Sequence, residues 1–353
     1  MDGVRLRSTL LLLGLVVVGS ALLGGLVYLS GPRRVLEELT AVGWAGFLAV
    51  AGTVLLSMGA WLGSWAVLLR AAEVEFRWPG LGAALLSGFA ISYLTPSMYL
   101  GGEPVRAFLV AREARVPMSH IMATVVVERL LAGVALLFFA SIGGFFALIS
   151  PALPLVSKRA LGIALGIMAG FLFLAIFSFA KNWQWISRLL RVLARAFPGR
   201  GRLLRAAAKV AETEQEIYHA FSHRLASTTL AFLLQITAIF MNYLRPQVFF
   251  YFTKGEVFSV PQLSLYFTLN AFLTSFLWIT PGGMGVAEGG RIGIFSLLAI
   301  PPSGALAYSV TYRFVEMCLV AIGIWLMLRQ GLLRLREGRV EVEAKLEEAP
   351  PPP

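Results

Sequence analysis

The stretch TPGGMGVAEGG, residues 280–290, interrupts about forty otherwise apolar residues that run from 258 to 299. Glycine and proline are the residues least favourable to a helix interior. A carboxylate inside an apolar segment is costly in lipid and by default indicates function. We therefore expect no continuous membrane-spanning helix across this stretch, although its surroundings are apolar enough for one.

The composition of the whole chain excludes a soluble domain. Of its 353 residues 58% are hydrophobic and 14% are charged, whereas soluble domains carry about 25% charged residues. Apolar runs of about 20 residues, enough to cross a bilayer as a helix, recur along the chain. A membrane β-barrel would need alternating segments of about ten residues, and none is found. The sequence predicts an all-α polytopic integral membrane protein.

Six apolar runs are long enough to span the membrane, and two further apolar stretches are interrupted. The predicted spans are 8–30, 43–69, 118–149, 159–180, 225–252 and 304–329, and the interrupted stretches are 80–114 and 258–299. The first run follows Arg5 and Arg7 and is too long for a signal peptide, so we expect a retained helix.

Basic residues predict the orientation of the chain. Residues 181–209 contain eight lysines and arginines and no acidic residue, which places this segment in the cytoplasm. The basic residues near both termini fall on the same side only if 80–114 and 258–299 do not cross. We therefore expect about six spanning helices, two re-entrant helical hairpins, cytoplasmic N- and C-termini and a location in the cell (plasma) membrane. The lone Cys318 excludes a disulfide.

A single transmembrane domain is expected over residues 1–335. Its cytoplasmic segment 181–224 is basic and amphipathic, and two interpretations stay open: a helix that lies on anionic lipid, or an ordinary positive loop. The end of the chain, 336–353, is charged and proline-rich, and we expect it to be a disordered cytoplasmic tail.

The two interrupted stretches resemble each other. At an offset of 185 residues the identities are Thr95 with Thr280, Pro96 with Pro281, Glu103 with Glu288, Arg106 with Arg291 and Pro117 with Pro302. They predict a repeat with halves at about 43–149 and 225–333. Because the two hairpins open from opposite faces, the repeat is expected to be inverted, with a site near the midplane where broken helices meet.

Acidic and basic residues recur together inside apolar segments. The four sets are Glu103 with Arg106, Glu128 with Arg129, Glu288 with Arg291, and Arg313 with Glu316. Three of them are i, i+3 neighbours and are expected to share a helix face. Two interpretations are open: the pairs only hold the hairpins in place, or they form an anion site.

The second interpretation adds the backbone of the turn itself. Pro281, Gly282, Gly283 and Gly285 precede a helix, and the N–H groups of the three glycines are candidates for contact with an anion. Asn242, Arg245 and Asn270 are candidates for hydrogen bonds between helices or for the lining of a pathway. No catalytic motif, metal site or cofactor site is found, so no enzyme activity is expected.

Three motifs resemble the flippase-like membrane region of lysylphosphatidylglycerol synthases. They are TPSMYLGGEPVRAFLVAR (95–112), VVVERL (125–130) and TPGGMGVAEGG (280–290). The resemblance covers about residues 8–330 and implies movement of phospholipids or similar lipid-linked headgroups between leaflets. Its pattern falls on Gly102, Glu103, Arg106, Glu128, Arg129, Pro281, Gly282, Gly283, Gly285 and Glu288. The synthases continue into a soluble aminoacyl-transferase domain, and this chain does not, so lysyl transfer is not expected.

The first functional hypothesis is therefore a lipid translocase with a polar midplane cavity. Its partners would be membrane phospholipids with anionic headgroups, with no nucleic acid partner. The alternatives are an integral membrane transferase that acts on a lipid-phosphate substrate and a non-catalytic membrane partner of a separate lipid-synthesis enzyme. A homo-oligomer is compatible with each hypothesis.

Overall fold

A computed structural model describes residues 17–95, 101–149, 155–196, 200–222, 224–276 and 280–347, and every regular element in them is helical. In chain order the helices are α1 (Val17–Ser30), α2 (Pro32–Ala41), α3 (Gly43–Ala71), α4 (Trp78–Leu94), α5 (Glu103–Ala114), α6 (Met118–Ile149), α7 (Leu155–Ala180), α8 (Trp185–Ala196), α9 (Arg200–Ser222), α10 (Leu225–Lys254), α11 (Val260–Phe276), the 3-10 turn Pro281–Gly283, α12 (Val286–Ser296) and α13 (Pro302–Glu347). The all-helical class is confirmed for this part of the chain.

Five of the described helices are long and apolar enough to cross a membrane: α3, α6, α7, α10 and the first part of α13. Their ends agree with the predicted spans within a few residues, because each apolar run is bounded by charged residues, glycine or proline. The predicted span 8–30 begins outside the described residues, and its described part is the short apolar helix α1.

Each interrupted stretch forms two short helices in the described residues. The first stretch forms α4 and α5, of 17 and 12 residues, and the second forms α11 and α12, of 17 and 11 residues. At 1.5 Å per residue the longer helices reach about 26 Å and the shorter ones about 17 Å. Each is shorter than the roughly 20 residues needed for a full crossing. The re-entrant course of the two stretches stays a prediction.

Helix contacts in one half have counterparts in the other. The long helices α3 and α10 pack against each other, while α4 packs on α13 and α11 packs on α6. Likewise α5 packs on α6, and α12 packs on α13. The first short helix of each half, α4 or α11, thus packs on a long helix of the other half. The second short helix, α5 or α12, packs on the long helix that follows it in its own half. This matched pattern supports the repeat expected from the sequence, whose inverted orientation stays a prediction.

The two crossings between halves are close because a glycine lies at each of them. A Cβ atom at Gly143 in α6 would lie 2.0 Å from the backbone oxygen of Ser264 in α11. A Cβ atom at Gly323 in α13 would lie 2.2 Å from the backbone oxygen of Leu86 in α4. Small residues at membrane-helix crossings let backbones approach closely and replace the hydrophobic effect with packing.

The last helix continues beyond the predicted span. α13 runs to Glu347, so residues 336–347 are helical, where composition favoured a disordered tail. This part contains many strong helix formers, and the prolines begin only at Pro350. Residues 348–353 of the predicted tail lie outside the described residues.

We predict that Gly143→Ala lowers the free energy of unfolding by roughly 1–3 kcal/mol, because the methyl group overpacks the α6–α11 crossing. The matched control is Gly166→Ala in α7, where an added Cβ meets nothing within 4 Å. Unfolding of both variants in mixed micelles measures the difference. Equal stability of the two variants would contradict the close crossing.

Candidate functional site

The stretch at 280–285 is a turn that glycine makes possible. Pro281–Gly283 forms one 3-10 turn, and α12 starts at Val286. Gly282, Gly283 and Gly285 have φ values of +63°, +64° and +78°. Residues other than glycine rarely adopt positive φ values without strain. The chain therefore leaves helical geometry between α11 and α12 at positions where glycine is required.

Two of the three glycine N–H groups predicted to meet an anion are bonded within the protein. Gly283 donates to the backbone oxygen of Thr280 at 2.8 Å, and Gly285 donates to Glu288 Oε2 at 2.7 Å. Glu288 is the third residue of α12 and caps its N-terminus in the manner of a capping box. Gly283 and Gly285 therefore do not offer free N–H groups to an external anion as predicted, because the backbone oxygen of Thr280 and the carboxylate of Glu288 accept them.

Arg313 of α13 connects both parts of the turn. Its Nη2 lies 2.5 Å from Glu288 Oε1, and its Nη1 donates to the backbone oxygen of Gly282 at 2.8 Å. Arg291, one turn further along α12, lies 3.6 Å from the same Glu288 oxygen. All three charged side chains are buried. The turn, the start of α12 and the middle of α13 are therefore held together by one carboxylate and two guanidinium groups.

Neighbouring helices enclose the turn on two sides. A Cβ atom at Gly285 would lie 2.4 Å from the Cβ of Leu22 in α1. A Cβ atom at Gly282 would lie 2.6 Å from the ring of Tyr93, at the end of α4. The irregular backbone thus packs against protein on both of these sides, and membrane proteins tolerate such backbone where it is buried in protein.

A cavity of about 190 Å³, here called the polar cavity, adjoins this turn. Its lining comes from α6, α10, α11, α12 and α13 and combines cationic, amide and phenol groups with an apolar wall. The lining residues are Leu136, Ile239, Asn242, Arg245, Tyr266, Phe267, Asn270, Ala271, Thr274, Arg291, Tyr308, Tyr312, Arg313 and Glu316. At 1.5 Å per residue, Arg313 lies about 17 Å from the start of α13, and Leu136 lies about 27 Å from the start of α6. The cavity therefore lies inside the spanning segments.

Amides, hydroxyls and rings hold the arginines of the polar cavity. Arg245 donates to Asn242 Oδ1 at 2.5 Å and to Thr53 Oγ1 at 3.3 Å, and its Nη1 lies 3.7 Å from Glu316 Oε1. Arg291 donates from Nε to Asn270 Oδ1 at 3.0 Å. Both guanidinium groups lie 5.1 Å from the ring centre of Tyr312.

These contacts leave a positive charge at the polar cavity. Arg245, Arg291 and Arg313 face two carboxylates, Glu288 and Glu316, so the five groups carry a formal charge of +1. Fixed guanidinium groups in a fork geometry suit the bidentate binding of phosphate.

The charged residues of the first half form a separate, closed cluster. Arg106 forms an ion pair with Glu128, and both side chains are at most 1% exposed. Gln235 of α10 donates to the other oxygen of Glu128 at 2.8 Å, and the ring of Trp65 lies 4.7 Å from the Arg106 guanidinium.

A second pair at the edge of this cluster is less enclosed. Arg129 lies 2.6 Å from Glu103 Oε1, and its side chain is 32% exposed. Its guanidinium lies 4.9 Å from the ring centre of Trp61. This pair connects α5 to α6.

The ion pairs correct the pairing expected from spacing. Glu103 and Arg106 do not pair with each other, and neither do Arg313 and Glu316; each bonds to a residue of another helix. Interhelical partners lie closer because the short helices pack alongside the long ones. Only Glu288 and Arg291 remain neighbours on one helix, at 3.6 Å.

Several site residues were not singled out from the sequence. Trp61, Trp65 and Gln235 complete the first cluster, and the tyrosines complete the polar cavity. One signal was present: Tyr308, Tyr312 and Glu316 recur every fourth residue and so share one face of α13. Among the described residues no group of three His, Cys, Asp or Glu is suited to hold a metal ion.

The fold and the site define a polytopic helical membrane protein with charged clusters buried between its helices. The family model for the lysylphosphatidylglycerol synthase TM region matches residues 11–323, and the chain belongs to this family. A UPF0104 membrane protein of Methanothermobacter thermautotrophicus is 24% identical over 339 residues, 88% of this chain and 93% of that protein. A UPF0104 membrane protein of Methanocaldococcus jannaschii is 24% identical over 280 residues, 73% of this chain and 76% of that protein.

We predict that Arg313→Gln lowers the free energy of unfolding by about 3–5 kcal/mol, because it leaves the buried Glu288 without its closest cation. The double variant with Glu288→Gln should lose less than the sum of the two single variants. The control is Arg33→Gln, which removes the exposed Arg33–Glu37 pair and should leave the unfolding midpoint unchanged. Additive single effects at Glu288 and Arg313 would disprove the coupling.

Proposed function

We propose that this protein is a lipid translocase that moves a phospholipid or lipid-linked phosphate headgroup between leaflets through the polar cavity. The observation that carries the proposal is the presence of three arginines around one cavity inside the spanning helices. Cationic groups at this depth are expensive and typically line substrate or ion pathways.

The chemistry of the polar cavity favours a phosphate. The net charge of +1 is unfavourable inside a membrane unless an anion approaches. A phosphodiester supplies one negative charge and oxygen acceptors in the geometry that arginine binds. Asn242 and Asn270 keep Arg245 and Arg291 in position, so little side-chain entropy would be lost on binding.

The polar cavity also has apolar lining residues, which suit the apolar part of a lipid. They are Leu136, Ile239, Phe267 and Ala271, from α6, α10 and α11. A headgroup in the cavity would contact the arginines, while its acyl chains stay in the hydrocarbon region. This division of polar and apolar surfaces is what transfer of a lipid headgroup requires.

The Arg129–Glu103 pair supplies a second polar position along the same route. Arg129 precedes Leu136 by seven residues, and therefore lies on the same face of α6, about 10 Å towards its N-terminus. Its partial exposure agrees with a route that continues from the polar cavity along α6. Rocking of the two halves would expose the two positions in turn.

The remaining charged pair has a structural role in this proposal. Arg106 and Glu128 are fully enclosed and would hold α5 against α6. The proposal includes no chemical step on the lipid. It places the protein in the cell (plasma) membrane with both termini in the cytoplasm, as the basic segment 181–209 favours.

We predict that purified protein in liposomes accelerates the exchange of headgroup-labelled phospholipids between leaflets, followed by quenching from outside. Arg245→Gln and Arg291→Gln should each slow the exchange at least tenfold, because a charge-assisted hydrogen bond is worth roughly 1.5–3 kcal/mol. Arg33→Gln, at an exposed position on α2, is the matched loss of one arginine and should leave the rate unchanged.

Two outcomes would contradict the proposal. One is the absence of protein-dependent exchange for anionic and zwitterionic lipids alike. The other is unchanged exchange by folded Arg245→Gln and Arg291→Gln proteins, with folding checked by size-exclusion chromatography and thermal unfolding. A chelator-sensitive change in the lipid itself would favour the transferase alternative.

A further inference from the structure

Helix α8 begins directly after a spanning helix. α7 ends at Ala180, and four residues lead to Trp185, with positive φ values at Asn182 and Gln184 that turn the chain. The ring of Trp183 packs on Phe177 of α7 at 5.7 Å. α8 therefore lies next to the end of a transmembrane helix, at the depth of a membrane surface.

One face of α8 packs against α9. Ser187 and Ala194, two turns apart, are buried where the two helices pack. The buried carboxylate of Glu214 in α9 accepts the backbone N–H groups of Ile186 and Ser187 at 2.9 and 3.3 Å. A carboxylate at a helix N-terminus satisfies free donors and interacts favourably with the helix dipole. The orientation of α8 is thus determined by protein contacts.

The other two faces of α8 are uncovered within the described chain. Leu189 and Val192 are 50% and 55% exposed, and Leu193 lies beside them. Arg188 and Arg191 are exposed on the adjoining face. The apolar residues of α8 are therefore divided: Ile186 and Leu190 lie partly buried, while Leu189, Val192 and Leu193 are exposed.

We propose that the exposed faces of α8 bind the surface of an anionic lipid bilayer, independently of any translocation. Three observations favour lipid over a protein partner. α8 continues from the exposed apolar side chains of α7, among them Phe171 and Phe173. Its apolar residues lie beside arginines, as in interfacial helices. Residues 181–209 carry eight basic and no acidic side chains, which complements anionic headgroups.

The test uses the full chain with Cys318→Ser and a single new cysteine, Val192→Cys, labelled with bimane. The protein is reconstituted in vesicles of phosphatidylcholine alone or mixed equally with phosphatidylglycerol, each with nitroxide-labelled lipid as the quencher. We expect stronger quenching in the anionic vesicles, and 1 M salt should reduce the difference, because the screening length falls to about 3 Å. Phe171→Cys, on the lipid-facing side of α7, should be quenched equally in both.

Changes to the basic face separate charge recognition from simple proximity. Arg188→Gln with Arg191→Gln should lower the ratio of embedded to free α8 about fivefold per arginine and remove the difference between vesicles. The double variant Arg188→Lys with Arg191→Lys keeps both positive charges and should retain the difference in quenching between the two kinds of vesicle. Equal quenching of Val192→Cys in both vesicles, or no quenching in either, would overturn the proposal, as would a glutamine variant that behaves as the parent.

Discussion

The carboxylate of Glu288 is the group on which the second half of the structure depends. It accepts the N–H of Gly285 and so completes the start of α12, and it lies 2.5 Å from Arg313 and 3.6 Å from Arg291. Arg313 in turn holds the carbonyl of Gly282. Two of the three arginines that line the polar cavity, Arg291 and Arg313, are therefore positioned by the same carboxylate that stabilises the turn. The same contacts thus stabilise the interruption between α11 and α12 and orient the arginines towards the cavity. The structural and the functional interpretation of these charged residues therefore do not exclude each other.

The two halves of the predicted repeat match in their helix contacts and differ in their buried charges. The offset that equates Glu103 with Glu288 also equates Glu128 with Arg313, so the charge on the long helix is reversed. In the first half the buried guanidinium lies on the short helix and is covered by Trp65, whose counterpart in α10 is Phe250. In the second half Phe250 belongs instead to an aromatic cluster with Phe295 and Tyr308. The cations beside that cluster remain open to the polar cavity, and this difference makes the second half the better candidate for headgroup binding.

The sequence predicts the helices more reliably than it predicts the site. Apolar runs and the Gly-Pro interruptions locate α3, α6, α7 and α10 within a few residues, because burial in lipid leaves a strong compositional signal. The charged residues are also found from sequence, since they are rare in apolar segments. The ion pairs that these residues form are not found from the sequence, because partners on the same helix compete with partners on neighbouring helices. Glu288 meets Arg313 only because α12 packs against α13. The hydrogen bond from the N–H of Gly285 to Glu288 is not predicted from the sequence either. The spacing of the two residues does not show whether this N–H meets a side-chain carboxylate or an external anion.

The proposed translocation requires a water-accessible polar cavity inside the spanning helices beside the interrupted segment. The most direct measurement is the reaction rate of a cysteine at Thr274, in the cavity lining, with a water-soluble thiol reagent added on both sides of the membrane. The background carries Cys318→Ser, and Ser141→Cys, among the exposed apolar residues of α6, is the lipid-facing control. We predict that Thr274→Cys reacts at least tenfold faster than Ser141→Cys, because a thiolate forms only where water reaches it. Equal and slow reaction at both positions would show that water does not reach the polar cavity, and translocation through it would be ruled out.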